Sequence, residues 1–369
     1  MSLLSTRIDL SAIAHNTRLI KDMVAPARLM CVVKADGYNH GNQRVVPVME
    51  ANGADSFGVA TIAEARSVRH LTDLPVLAWI WSLDDDLPAD IQLGVPTMEH
   101  LRRLVDDRTE RTVYLMVDTG MNRSGINEQA WSEAFTLAAV AQHLTVEGLM
   151  THLACADELE NPFTDQQAEK FRRAIALGRE AGLKLPTNHV ANSAATLTRS
   201  DLHFDQVRPG LALYGLDPID GGDHGLKPAM TWRAEVAAVK PIAKGEGTSY
   251  GLTWRAPAGG YTAVIPAGYA DGLPRNWQDT IEVTINGQRY PQVGRVCMDQ
   301  FVVWLGATGD APASPVRIGD EAIIFGPGGV SATELADRAG TINYEVVCRP
   351  TGRNQCEYID ADSKPEKEA

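Results

Sequence analysis

The sequence predicts an α/β protein with an N-terminal (β/α)8 barrel of the TIM type and a C-terminal domain of mainly antiparallel β structure. Three observations lead to this fold class. Short apolar runs alternate with helical stretches up to about residue 215, a segment rich in glycine, proline and aspartate follows at 217–228, and polar residues alternate with apolar ones beyond it. The predicted domains are therefore residues 1–228 and 229–369.

Eight apolar runs predict the strands of the barrel, because strands that are buried on both faces contain few alternating polar residues. A helix is predicted before the first run. Asp9 or Ser11 can cap that helix, and Ile13, Ile20 and Val24 recur at helical spacing. The predicted strands are 29–35, 56–60, 75–81, 91–95, 112–118, 146–152, 188–192 and 210–215.

The second domain shows the two-residue period of half-buried strands. Ile281, Val283 and Ile285 alternate with polar neighbours and lead into Asn286 and Gly287. An Asn-Gly pair between two such runs is a strong signal for a tight hairpin. We therefore expect antiparallel pairing from about residue 229 onward.

Composition excludes several classes of function. The net charge of -13 is spread along the chain without a basic stripe, so we expect no nucleic-acid partner. No apolar stretch approaches about 18 residues, and the first residues lack a signal-peptide pattern, so we expect a cytoplasmic protein without membrane contact. Five cysteines without CxxC spacing predict neither a disulfide framework nor a metal site.

Lys34 closes the first apolar run, within the segment KADGYNHG. In a barrel this position lies at the C-terminal face, where such folds carry their catalytic residues. Taken alone, a lysine at a strand end more often extends its ammonium group into solvent. The neighbouring residues decide between these two interpretations.

The segment KADGYNHG resembles the cofactor-attachment motif of the alanine racemase family, whose members use pyridoxal 5'-phosphate. Gly37 and Asn39 depart from the alanine and glycine that are common in the family, but neither position supplies a reactive group. The resemblance implies that the cofactor is attached to Lys34 as a Schiff base. The matching motif residues are Lys34, Tyr38, His40 and Gly41.

Five further segments resemble the same family in the same order, so the resemblance covers nearly the whole chain. It implies that Ser193, Tyr38 and Tyr344 bind the cofactor phosphate together with a backbone amide near Gly210. Hydroxyl and amide donors suit a phosphate dianion because they are directional. The implied cofactor-binding residues are Lys34, Tyr38, His152, Asn192, Ser193, Arg208, Gly210 and Tyr344.

Arg208 in VRPGLALYG is implied to face the pyridine nitrogen of the cofactor. Arginine has a pKa above ~12 and carries only donors, so it leaves that nitrogen unprotonated. The ring is then a weaker electron sink, which favours return of the proton to the substrate α-carbon. This property favours racemisation over transamination.

Tyr250 in GTSYGLTW is implied to be the second catalytic base, opposite Lys34. Racemisation removes a proton from one face of the α-carbon and delivers one to the other face, so two bases meet the requirement. A free tyrosine has a pKa near ~10, so work near neutrality calls for a depression of about 3 units. His152 and Arg208 are the predicted sources of the necessary positive charge.

On the substrate side, the resemblance implies that Arg123 binds the substrate carboxylate and that Tyr269 and Met298 also contact the substrate. It further implies a homodimer, in which Tyr250 and the Met298 backbone come from the partner chain. Many family members carry a carbamylated lysine seven residues before the arginine. Here that residue is Met116, which cannot be carbamylated. A bound anion or a neighbouring carboxylate is therefore expected to orient Arg123.

The implied function is interconversion of L-alanine and D-alanine, which supplies D-alanine for peptidoglycan. A racemase of broader specificity, for example toward serine, is an alternative because the motifs do not define pocket size. A non-catalytic pyridoxal-phosphate-binding protein of the same barrel type is a second alternative, although such proteins lack a second domain. Related decarboxylases have a glutamate where this chain has Arg208.

Overall fold

A computed structural model describes residues 3–308 and 314–360. The chain divides into two compact units, a barrel unit from Ile13 to Lys227 and a β unit that joins the first 12 residues to those from Pro228 onward. The strands in the described residues are β1 (Leu4–Asp9), β2 (Arg28–Val32), β3 (Ser56–Thr61), β4 (Val76–Ile80), β5 (Gln92–Val95), β6 (Arg111–Met116), β7 (Leu144–Met150), β8 (Gln206–Val207), β9 (Met230–Glu235), β10 (Ala238–Ile242), β11 (Gly247–Thr248), β12 (Trp254–Arg255), β13 (Gly260–Ile265), β14 (Glu282–Ile285), β15 (Gln288–Val293), β16 (Phe301–Ala307), β17 (Glu321–Phe325) and β18 (Gln355–Ile359).

Most of the helices connect strands of the barrel, and two of them lie in the β unit. Among the described residues, none of the helices combines the length and the apolar composition that a membrane span needs. The helices are α1 (Leu10–Val24), α2 (Lys34–Asn39), α3 (Asn42–Ala51), α4 (Ile62–Arg69), α5 (Met98–Asp107), α6 (Trp131–Val140), α7 (Phe163–Glu180), α8 (Ser193–Thr198), α9 (Ala332–Ala339) and α10 (Asn343–Val347).

The barrel unit contains one parallel sheet in the order β7-β6-β5-β4-β3-β2-β8. The ring closes through His189, which bridges Met150 of β7 on one side and Gln206 of β8 on the other. His189 therefore stands in place of a full strand between β7 and β8. The closed parallel sheet and the antiparallel sheet described below confirm the predicted fold class.

Two of the predicted barrel strands differ from the structure. The run 188–192 contributes only the His189 bridge, and the run 210–215 forms a 3-10 helix at Leu211–Tyr214, while the last strand is β8. The four residues of that 3-10 helix are fully buried. A short apolar run indicates burial but does not distinguish a strand from a buried helical turn. The prediction of a strand at 210–215 was therefore wrong.

The predicted first helix is present, and Asp9 caps it. The Asp9 carboxylate accepts hydrogen bonds from the backbone N–H groups of Ser11 and Ala12 and from the Ser11 hydroxyl. The residues before this helix were expected to belong to the barrel domain, residues 1–228, but they lie in the β unit. They form β1, which pairs with β9 and β18 of the β unit. This pairing is distant in sequence, so it leaves no local signal.

The β unit contains a sheet in the order β10-β13-β16-β15-β14-β17-β9-β1-β18. Its neighbouring pairs are antiparallel except for β1 and β18. The predicted hairpin joins β14 to β15, and its turn residues Asn286 and Gly287 have φ of +50° and +76°. Positive φ at both positions is what a type I′ turn requires.

Candidate active site

Lys34 lies just beyond β2 and opens α2, which is a left-handed turn and not an ordinary α-helix. Ala35, Asp36, Gly37 and Tyr38 have φ between 52° and 64° with ψ between 40° and 50°, and φ of Asn39 is 67°. Such a conformation costs about 1–2 kcal/mol for each residue other than glycine. Consecutive left-handed residues persist only where the surrounding structure holds them.

His40 is one group that holds this turn. Its ring is fully buried, and Nδ1 lies 3.0 Å from the carbonyl oxygens of both Gly37 and Tyr38. Nδ1 therefore donates to the two carbonyls. The ring packs on Tyr214 at a centroid distance of 4.5 Å, and the Tyr214 hydroxyl donates to the Val32 carbonyl at the end of β2.

Carboxylate and amide side chains hold the ends of the turn. The Asn42 backbone donates to Asp36 at 2.7 Å, and the Asn42 side-chain amide donates to the Val33 carbonyl at 2.9 Å. The Ala35 N–H donates to Glu64 at 2.8 Å. The sequence did not reveal the part played by Glu64 in the turn, because a glutamate in the first turn of a helix ordinarily indicates only a cap.

Three predicted phosphate-binding groups come together in the barrel unit. A Cβ atom at Gly210 would lie 2.2 Å from the Tyr38 hydroxyl, so glycine is the residue that permits this approach. The Ser193 hydroxyl accepts from the backbone N–H groups of Gly210 at 2.9 Å and Ala212 at 3.3 Å. Asn192 caps α8 through a bond from the Ala195 N–H at 3.1 Å. Hydroxyl groups and a backbone amide at one place are directional donors, which suit a phosphate dianion.

Arg208 is buried, and its contacts are neutral. It donates to the Thr151 carbonyl at 2.6 Å and to the His189 carbonyl at 3.0 Å, and it lies 2.7 Å from His189 Nδ1 and 3.4 Å from His152 Nδ1. Within residues 3–308 and 314–360 it forms no ion pair. Burial lowers its pKa to about 10. Arg208 therefore keeps its charge at neutral pH without a carboxylate partner.

His152 lies among three cations that belong to the predicted site. Burial lowers its pKa to about 3, and the charges of Arg208, Arg123 and Lys34 add to that shift. The imidazole is therefore neutral near pH 7 and accepts at Nδ1 from Arg208. His152 was predicted as a source of positive charge, and that prediction was wrong because burial and its cationic neighbours keep it unprotonated. Arg208 is the predicted source that remains charged.

Gln167 of α7 supports the loop that carries His152. Its amide nitrogen donates to the His152 carbonyl and to the Thr119 hydroxyl, each at 3.0 Å, and its oxygen accepts from the Ala154 N–H at 2.8 Å. Gln167 is fully buried. Sequence reasoning missed it, because a glutamine in a polar helix gives no sign of facing inward.

Three predicted residues come together separately in the β unit. The Tyr269 N–H donates to the Cys297 carbonyl at 3.1 Å, and the Ala270 N–H donates to the Met298 carbonyl at 3.0 Å. The Ser249 hydroxyl, next to Tyr250, donates to the Arg295 carbonyl in the same segment as Met298. The three side chains are exposed, by 71% for Tyr250, 44% for Tyr269 and 51% for Met298. Tyr344 is half-buried in α10 of the same unit.

Comparisons with known proteins agree with both units. Residues 8–218 match the family described as alanine racemase, N-terminal domain, and residues 229–358 match alanine racemase, C-terminal domain. The chain belongs to the alanine racemase family. This membership confirms the resemblance on which the site residues were predicted.

Several alanine racemases are similar over nearly their full length. That of Corynebacterium efficiens is 61% identical over 366 residues, covering 97% of this chain and 99% of that protein. That of Mycobacterium tuberculosis H37Rv is 44% identical and covers 97% and 96%. The crystal structure of the Corynebacterium glutamicum alanine racemase matches with a TM-score of 0.89 and 51% identity, covering 97% and 100%. That from Streptomyces lavendulae matches with a TM-score of 0.91 and 35% identity, covering 97% of each chain.

Met116, the residue expected to lack a carbamylated side chain, packs in an apolar cluster inside the barrel. Arg123 forms no ion pair among the described residues, so the expected neighbouring carboxylate is not found there. No group of residues suited to hold a metal ion is present in the described ranges either. The residues that pack with Met116 are Met30, Leu77, Tyr114, Met150 and Trp79.

Arg353 joins the two segments of the alanine racemase fold that carry Tyr269 and Met298. Its guanidinium donates twice to the buried Asp271 at 2.8 Å and once to Asp299 at 2.7 Å. Asp271 follows Tyr269 by two residues, and Asp299 follows Met298 directly. The ion-pair network therefore holds both segments in place.

We expect Arg353→Met to lower the thermal unfolding midpoint by about 5 °C or more, because it leaves a buried carboxylate without its cation. Differential scanning calorimetry measures the change. Arg172→Met is the matched control, since its ion pair with Glu169 is exposed and 3.8 Å long. Equal midpoints for the two variants would contradict the assigned role of Arg353.

Three buried histidines predict acid lability of the barrel unit. Burial lowers the pKa of His40 to about 4 and that of His152 to about 3, and burial and Arg208 lower the pKa of His189. Below about pH 6.5 these histidines bind protons in the unfolded chain but not in the native one. Their contribution to stability is complete above that pH and is lost as the pH falls toward the native values.

The depression at His40 alone corresponds to roughly 3 kcal/mol. We expect the free energy of unfolding in urea to fall by several kcal/mol between about pH 7.5 and about pH 4.5. His40→Gln should reduce the slope over this range, since glutamine does not titrate. A free energy that is constant or rises toward low pH is incompatible with buried, neutral histidines.

Proposed function

We propose that this chain is an alanine racemase that uses pyridoxal 5'-phosphate to interconvert L-alanine and D-alanine in the cytoplasm, supplying D-alanine for peptidoglycan. The observation that carries the proposal is Arg208, which is buried and charged, has no carboxylate partner among the described residues, and lies beside His152. The positive charge of Lys34 also lowers the pKa of His152. Membership of the family and the similarity to named alanine racemases support this function.

The residues of the barrel unit fit the cofactor. Lys34 would attach it, and the hydroxyl groups of Tyr38 and Ser193 with the Gly210 amide would bind its phosphate, with Asn192 keeping α8 in place. Tyr344 would add a further hydroxyl. When bound, the cofactor withdraws electrons from the α-carbon of the amino acid and so makes the α-hydrogen acidic.

Arg208 would donate a hydrogen bond to the pyridine nitrogen. Its guanidinium would not transfer a proton to that nitrogen at neutral pH. The carbonyls of Thr151 and His189 fix its guanidinium, and the neutral His152 and His189 accept from it. This arrangement keeps positive charge near the ring without protonating it. It favours return of a proton to the α-carbon.

Two bases would exchange the α-hydrogen on opposite faces, Lys34 from the barrel unit and Tyr250 from the β unit. Arg123 would bind the carboxylate, with Tyr269 and the backbone at Met298 completing the small pocket. Tyr250, Tyr269 and Met298 are large side chains that are exposed on the β unit of one chain. Exposed apolar groups of this size indicate a contact surface, so we propose a homodimer in which each site takes these groups from the partner.

The test is to incubate purified protein with pyridoxal phosphate and a panel of single L-amino acids and to follow the loss of optical activity. Alanine should be racemised fastest. Preference for serine or lysine would show a broader racemase and contradict alanine as the main substrate. Cofactor binding without turnover of any amino acid would show a non-catalytic binding protein.

A further inference from the structure

Ser249, the residue before Tyr250, has a backbone conformation that serine rarely adopts. Its φ is 63° and its ψ is -178°. This region of φ and ψ is essentially restricted to glycine, because a Cβ atom meets the neighbouring backbone there. Glycine would take the conformation without strain. The serine must therefore be held by contacts of its side chain.

Those contacts join Ser249 to the segment before Met298. The hydroxyl donates to the Arg295 carbonyl at 2.5 Å and lies 3.4 Å from the Cys297 thiol. The approach is close because residue 294 is a glycine. A Cβ atom at Gly294 would lie 3.0 Å from the Ser249 Cβ and 2.9 Å from the Thr248 carbonyl oxygen.

The turn after Ser249 joins β11 to β12, and its backbone support is the pairing of Thr248 with Trp254 and a bond from the Leu252 N–H to the Ser249 carbonyl at 3.2 Å. Gly251 has φ of 74° and Leu252 has φ of 46°, so two of the next three residues are also left-handed. The Tyr250 side chain is 71% exposed, and Leu252 is 49% exposed. Side-chain packing within this chain therefore contributes little to the position of Tyr250, and the Ser249 hydroxyl is the group beside it that bonds to the segment before Met298.

We propose that Ser249 is a positioning residue for proton transfer, whose hydroxyl fixes the backbone of Tyr250 against the segment that carries Met298. The inference rests on the proposed racemisation, in which Tyr250 exchanges one of the two α-hydrogens. A proton-transfer group needs a position defined to a fraction of an ångström. Ser249 lies in the β unit, whereas Lys34 lies in the barrel unit, so loss of the hydroxyl should impair one direction of exchange only.

The experiment compares Ser249→Gly with Tyr250→Phe as holoenzymes. Exchange of the α-hydrogen with deuterated water is measured separately from L-alanine and from D-alanine. We expect Ser249→Gly to slow exchange from one enantiomer by about tenfold to one-hundredfold and to leave the other within about twofold. The affected enantiomer should be the one that Tyr250→Phe affects, and the double variant should be no slower than Tyr250→Phe alone.

Asn286→Gly is the matched control, since it also replaces a residue of positive φ in the β unit but lies in a different turn, between β14 and β15. It should leave both exchange rates at the wild-type values. Ser249→Gly should unfold within about 3 °C of the wild type, because relief of strain offsets the lost bond. Equal loss for both enantiomers, or no loss for either, would overturn the role of Ser249.

A second measurement does not depend on turnover. Fluorotyrosine placed at position 250 should give one sharp fluorine NMR resonance in the wild type and a broadened or divided one in Ser249→Gly. An unchanged resonance would refute the positioning role even if the protein proves inactive. If the wild type racemises alanine and Ser249→Gly has the same exchange rates as the wild type, the role of Ser249 is refuted. The proposed function would still stand.

Discussion

Replacement of Lys34 by alanine should abolish racemisation of alanine, with a fall in kcat of at least about 10³-fold. Two contributions are lost together, because Lys34 is proposed both to attach the cofactor and to move a proton on one face of the α-carbon. The cationic surroundings that act on His152 would also weaken, since Lys34 contributes to the low pKa of that residue. Initial rates with each alanine enantiomer measure the effect.

The loss of attachment has a readout that is separate from activity. The visible absorption that arises when pyridoxal phosphate is covalently held should disappear in Lys34→Ala and survive in Lys184→Ala, a control at an exposed position of the barrel unit. A Lys34→Ala protein that retains this absorption would show that another amine carries the cofactor. Retained kcat would exclude Lys34 as a base.

Replacement of Tyr250 by phenylalanine should impair the two enantiomers unequally, with a fall of about 10²-fold or more in α-hydrogen exchange from one of them. Phenylalanine keeps the ring and removes only the hydroxyl, and each enantiomer presents its hydrogen to a different base. Tyr290→Phe is the control, since Tyr290 is a buried tyrosine of β15 in the same unit. Equal retention of both exchange rates would contradict the assignment.

Mixing the Lys34→Ala and Tyr250→Phe variants and measuring racemisation of alanine tests whether the site is shared between chains. In a mixed dimer of Lys34→Ala and Tyr250→Phe, one site would carry both substitutions and the other would carry neither. Random assortment should therefore restore about a quarter of the wild-type activity. No recovery after dissociation and reassembly would show that each chain completes its own site.

The sequence predicted the barrel and the second domain well, because burial on both faces and strict alternation are local signals. The prediction failed where an apolar run correctly indicated burial but not the type of secondary structure, and where pairing is distant in sequence. The apolar run at 210–215 is buried, yet its residues form a 3-10 helix, and β1 pairs with strands more than 200 residues away. Neither feature has a local pattern.

The site residues were predicted from the family resemblance. Their conformations and charges became visible only in the structure. Tyr38, Ser193 and Gly210 were named from motifs, but the left-handed turn beyond Lys34 and the close approach to Gly210 depend on distant contacts. The charge of His152 was predicted incorrectly, because a sequence does not show which cations surround a buried imidazole. Gln167 and Ser249 carry no motif that distinguishes them.

The closure of the barrel through His189 has a consequence for its fluctuations. Neighbouring barrel strands share at least two residue pairs, as β2 and β8 do, whereas between β7 and β8 the bridge is His189, with further backbone bonds from Thr187, Asn188 and Ala191. These residues form no regular strand, so we expect local opening of the barrel at this seam. His189 also accepts from Arg208. Any ligand that binds Arg208 should therefore reduce local opening of the barrel at this seam.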